Sequence, residues 1–113
     1  MNSIPLGLAI RDRLPEHLDD AGYQCRTRET EGRERSNALR MALQQAIQDY
    51  LADPSLDSLA EANELIIALA AEDGYAADAL EKARQAAVEK EGSYSKGLIL
   101  EALVPRPDFV EEH

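Results

Sequence analysis

The stretch SNALRMALQQAIQDYLADPSLDSLAEANELIIALAAEDG, from Ser36 to Gly74, decides the fold. In its first half Leu39, Ala42, Leu43, Ala46, Ile47 and Tyr50 recur at steps of three and four, which is one apolar helical face. Asp53-Pro54-Ser55 breaks the pattern, and Ser55 is suited to cap a second helix that stops at Asp73-Gly74. Leu65 to Ala71 contains no polar residue, so the sequence predicts that this part is buried on nearly every side. Two such helices form an antiparallel hairpin against which other elements pack.

Upstream, residues 1–10 read as an extended lead-in. Pro15 fits the first turn of a short helix over about Pro15 to Ala21, with Gly22 as its stop. Tyr23 to Arg28 alternates and suggests a short strand or an extended arm. Glu29 to Arg35 is polar, with Gly32 inside it, and reads as a mobile loop. Downstream, Ala76 to Lys90 forms a third long helix with an Ala-rich stripe that permits close approach to neighbours, and Gly92 ends it. Gly97 turns the chain into Leu98-Ile99-Leu100. Pro105 and Pro107 then open a frayed tail.

A chain of 113 residues fits one domain, here residues 1–104 with a tail at 105–113. With aromatic residues at 4% and no Trp, the core must come from Leu, Ile and Ala, which favours packed helices. The formal charge is −10, and no Lys or Arg occurs between Met41 and Glu81, which argues against nucleic-acid binding. The lone Cys25 excludes an intrachain disulfide and is read as an inert thiol. No signal peptide or membrane span is evident at the start, so a cytoplasmic protein is expected.

On a wheel of about 100° per residue, Asp57, Glu61 and Glu64 share one sector of the second helix. They either face water or hold a hard divalent cation, and the solvated face is the more economical reading. Asn63 falls in the middle of the apolar arc. If buried it needs partners, as a core contact or, less favoured, as a ligand-facing donor. His17 and His113 are too few and too separate for a histidine metal site. Ser93-Tyr94-Ser95 has no adjacent His to activate a hydroxyl. The run Arg26, Arg28, Arg33, Arg35 and Arg40 either meets phosphates or offsets local acids, the second being the commoner case.

The order of three motifs resembles that of the small all-α nucleoside triphosphate pyrophosphohydrolases, relatives of MazG and of phosphoribosyl-ATP pyrophosphohydrolase. Arg11-Asp12-Arg13-Leu14-Pro15-Glu16 is similar to their Arg-Asp-Lys-Ile-Pro-Glu opening. Leu59-Ala60-Glu61-Ala62-Asn63-Glu64-Leu65-Ile66 resembles their Leu-Ala-Asp-Val-Leu-Glu-Val-Ile helix. The segment from Glu89 through Gly92 and Gly97 to Leu100 resembles their Glu-Arg-Gly-Gly-Phe-x-Lys-Gly-Ile-x-Leu ending. The likeness spans about Leu8 to Glu101.

It implies a MazG-like helical bundle completed by oligomerisation, as a dimer. It also implies Mg²⁺- or Mn²⁺-dependent hydrolysis between the α and β phosphates of a nucleotide. In the family the metal is held by Glu-Glu-x-x-Glu on one helix and Glu-x-x-Asp on the next. Here the first motif falls on Gln44-Gln45-Ala46-Ile47-Gln48 and the second on Ser58-Leu59-Ala60-Glu61. Gln45, Gln48 and Ser58 thus replace three of the four metal carboxylates, and Glu61 alone remains.

Three readings follow. The favoured one is a non-catalytic relative that binds a nucleotide-like ligand or a protein partner, with Arg11, Arg13, Lys90 and Lys96 available to phosphates. The second is an active enzyme with a shifted metal site built from Asp57, Glu61 and Glu64, with Asp49 as a further ligand. The third is a helical adaptor with no small ligand.

Overall fold

The computed structural model describes residues 7–108. The parts of the expected lead-in before residue 7 and of the expected tail after residue 108 lie outside them. Among the described residues the chain is all-helical, with four α-helices and no strand. These are α1 (Leu14–Asp20), α2 (Gly32–Ala52), α3 (Leu56–Glu72) and α4 (Ala79–Glu91). The chain divides into two compact units, Met1–Leu80 and Glu81–His113.

The first unit is built on the α2–α3 hairpin, broken at Asp53-Pro54-Ser55 as the sequence predicts. Ser55 caps α3, its hydroxyl accepting from the Ser58 amide at 3.1 Å. At the other end the Gly74 amide donates to Ala71 O at 3.0 Å with φ at 89°, a left-handed value that favours glycine. Pro15 sits in the first turn of α1, and the Gly22 amide closes that helix onto Asp19 O.

Three expectations fail in this unit. Residues from Gly32 onward are helical, whereas the polar composition predicts a loop through Arg35. Gly32 enters α2 with φ at 59°, so its freedom serves a helix start. The polar first turn is then held by ion pairs: both nitrogens of the Arg28 fork meet Glu34, at 2.7 and 2.8 Å, and Arg35 reaches Glu72 at 3.1 Å. Glu34 also stands where the positive end of the helix dipole favours an acid. Tyr23 to Arg28 forms neither helix nor strand, so of the two alternatives offered for it the strand is not formed.

Leu65 to Ala71 is the second miss. Leu65 packs with Ala42 and Ala46 as the buried core, backed by Leu8, Ala9, Leu39, Leu43 and Ala62. Ile66 and Ile67 are exposed, because α2 covers only one side of α3. Asn63 is exposed too, so it is no buried polar group in this chain.

α4, most of which lies in the second unit, starts three residues later than the periodicity suggests, after a turn in which the Ala79 amide donates to Ala76 O at 3.0 Å. Gly92 ends it, its amide donating to Val88 O at 2.8 Å. Every residue of α4 from Leu80 onward is exposed. Gly97 turns back onto Tyr94 O at 3.1 Å, and Leu98, Ile99 and Leu100 beyond it are exposed. Among the described residues no helix is long and apolar enough to cross a membrane.

Candidate functional site

The hairpin has two chemically different sides. On a wheel of about 100° per residue, Gln45 and Asp49 on α2 and Asp57, Glu61 and Glu64 on α3 all lie to one side of the Ala46–Leu65 contact. On that side a cavity of about 150 Å³ is lined by Gln45, Asp49 and Glu61 over a floor of Ala42, Ala46 and Leu65, with Leu8 and Ala9 as its outer wall. The uncharged Gln45 therefore lines the same cavity as the carboxylate Glu61. Asp49, one helical turn after Gln45, joins them.

Each of these groups already has a protein partner. Arg11 Nε donates to Glu61 Oε2 at 2.9 Å, and Gln45 Nε2 donates to Asp49 Oδ1 at 2.9 Å. The two carboxylates and Arg11 together carry one net negative charge. Each carboxylate engages one oxygen in these contacts, Glu61 Oε2 and Asp49 Oδ1, and keeps the other. Two carboxylates beside a guanidinium are a weak donor set for Mg²⁺.

The other expected ligands are elsewhere. Asp57 and Glu64 are exposed and line no part of the cavity. Gln48 is exposed as well. The Ser58 hydroxyl accepts from the Ser55 hydroxyl at 3.0 Å, inside the cap of α3. Among the described residues no three side chains of His, Cys, Asp or Glu converge in a way that could hold a metal ion.

Of the expected phosphate contacts, Arg11 is at the cavity but committed to Glu61. Arg13 pairs with Glu16 one helical turn on, at 3.1 Å. Lys90 and Lys96 belong to the second unit, in the last turn of α4 and the turn after it, and both are exposed. In the Arg run, Arg28 and Arg35 each sit on a carboxylate, and Arg40 donates to Asn37 Oδ1 at 3.5 Å.

Sequence reading alone underrates Asp49 and misses Leu8 and Ala9. Asp49 enters it only as a supplementary ligand, yet it lines the cavity with Glu61. Leu8 and Ala9 read as a featureless lead-in but form the wall, and no periodicity in so short an apolar segment marks where it docks. Compared with known proteins, the chain matches no family model, no curated protein and no solved structure.

Proposed function

We propose that this chain is a non-catalytic, MazG-like relative of the nucleoside triphosphate pyrophosphohydrolases, acting in the cytoplasm as a dimeric helical binding module. The observation that carries the reading is the Arg11–Glu61 pair. The carboxylate retained at a family metal position is neutralised by a guanidinium, and the facing motif position is the uncharged Gln45. Replacing Glu by Gln keeps side-chain size and removes the charge on which the metal depends, which suits a fold kept without its chemistry. The cavity is about 150 Å³, below the ~300–1,000 Å³ typical of small-molecule sites. A nucleotide-like ligand would have to displace Leu8 to Arg11, so a protein partner is the better fit.

A second reading draws on Asp49. It and Glu61 line one cavity from facing helices, the arrangement from which a Mg²⁺- or Mn²⁺-dependent pyrophosphohydrolase with a shifted metal site would start if Arg11 swung away. Pyrophosphate release from a panel of nucleoside triphosphates, with Mg²⁺ and with Mn²⁺, decides between them. Release that is lost in Glu61→Ala establishes the enzyme. No release from the panel in either metal, with an intact helical spectrum, is the outcome the non-catalytic reading expects.

A further inference from the structure

Leu8, Ala9 and Arg11 contact the α2–α3 hairpin from outside it. Leu8 and Ala9 are half-buried and pack against the floor formed by Ala42, Ala46 and Leu65. Two of those three residues are alanines, so an incoming backbone can come close. Ile10, between Ala9 and Arg11, is 40% exposed. Arg11 Nε then donates to Glu61 Oε2 at 2.9 Å. The groove therefore meets a pattern of two apolar residues, a spacer and a base.

Little else holds that segment in place. Among the described residues, no backbone hydrogen bond ties residues 8–10 to either helix. Arg11 O accepts from the Leu14 amide, in the turn that starts α1, and α1 itself has no buried residue. Both members of the Arg11–Glu61 pair are open to solvent, which screens their attraction. The wall of the cavity is thus a strap that can leave while the hairpin stays folded. Its departure uncovers the apolar floor and frees Glu61. Asp49, which lines the same cavity, is paired with the neutral Gln45, so the groove holds one more carboxylate than the strap neutralises.

We propose that this groove docks an extended segment of a partner protein, two adjacent apolar residues with a base on each side, and that Leu8–Arg11 is a resident stand-in which that segment displaces. The apolar pair takes the floor over Ala42, Ala46 and Leu65. One base takes Glu61, as Arg11 does, and the other takes Asp49, a contact the strap lacks. The net charge of −10 draws a basic segment in at long range. This names the partner of the binding module proposed above and rests on that reading.

Fluorescence anisotropy of a labelled, end-blocked peptide, Lys-Gly-Leu-Ala-Ile-Arg, titrated with the full chain tests the site, with circular dichroism to verify helicity. The peptide is expected to bind the wild type. It should bind Leu8→Asp/Arg11→Ala about fivefold or more tighter, because apparent affinity scales with the fraction of open groove. Adding Glu61→Lys to that double variant should weaken binding by about tenfold or more. In the wild type, the NMR methyl signals of Leu8 should move toward those of an exposed leucine as peptide is added, while those of Leu65 stay in the core range. No binding to either protein at millimolar peptide overturns the proposal. So does a double variant that stays helical and binds no tighter. Binding that leaves the Leu8 signals in place, or that survives Glu61→Lys, overturns it too, since the peptide would then lie on another surface. A failed docking site leaves the non-catalytic reading standing, whereas pyrophosphate release lost in Glu61→Ala removes that reading whatever the peptide does.

Discussion

Arg11 and Glu61, fifty positions apart in sequence, meet at 2.9 Å, and Glu61 is one of the residues that line the cavity between α2 and α3. Their side chains are 56 and 42% exposed, so solvent screens the pair and its contribution to stability is about 0–1 kcal/mol. A contact that weak closes the site without anchoring the fold. Arg11→Ala should therefore lower the melting temperature by no more than a few degrees. It should also give a rise in melting temperature in millimolar Mn²⁺ larger than any in the wild type, because Glu61 is then free to turn to an ion. Thermal melts of both proteins with and without Mn²⁺ check this, and an unchanged metal response would show that Arg11 is not what keeps an ion out.

Gln45→Glu addresses the same cavity from α2. It replaces a donor to Asp49 with a third carboxylate, at a four-residue spacing where like charges repel. The variant should melt below wild type in metal-free buffer and recover with Mn²⁺ more than wild type gains. A loss that Mn²⁺ does not restore would mean that the introduced carboxylate cannot share one ion with Asp49 and Glu61.

The hairpin was legible because its period, its break at Pro54 and its stops at Ser55 and Gly74 are local signals that agree. What the sequence hid was non-local. The polar first turn of α2 is held by Arg28, and by Arg35 reaching Glu72, and neither partner can be read from helical spacing. Leu65 and Ile66 are adjacent apolar letters, yet one is core and the other exposed, since periodicity tells which residues share a face but not which face meets a neighbour. Of the positions singled out for a metal, Gln45 and Glu61 line one cavity, whereas Ser58 is bound into the α3 cap and Gln48 is exposed.

That distinction between neighbours is itself measurable. Leu65→Ala empties part of a core whose other buried members are both alanines, and such truncations cost about 2–5 kcal/mol. Ile67→Ala, at an exposed position, should cost within about 0.5 kcal/mol under dilute conditions where the chain is monomeric. Urea unfolding of the two variants would show the contrast. Equal losses would place Ile67 in the core and contradict the one-sided packing of α3.

Arg28 gives Glu34 a distinct response to pH. The two-pronged hydrogen bond, reinforced by opposite charge, holds the Glu34 carboxyl below its ordinary range. The contact is therefore fully present above the ordinary glutamate value and is lost as pH falls through the depressed one. In an NMR titration Glu34 should protonate at lower pH in the wild type than in Arg28→Ala. Added salt should narrow that gap, since both side chains are open to solvent. Coincident titration in the two proteins would mean that the fork is not populated in solution.

The cap of α3 is where a single hydroxyl can be weighed. Ser55 accepts the Ser58 amide at 3.1 Å and donates its own proton to the Ser58 hydroxyl at 3.0 Å. Removing an N-cap hydroxyl costs about 0.5–2 kcal/mol, several degrees in the melting temperature of a chain this size. Ser55→Ala should show that loss, Ser55→Asp should recover most of it, and Ser58→Ala should cost less because the backbone cap survives. If Ser58→Ala proved the worse of the two, the hydroxyl pair rather than the capped amide would be what fixes the start of α3. The orientation of Glu61, one turn further along the helix, would then depend on Ser58.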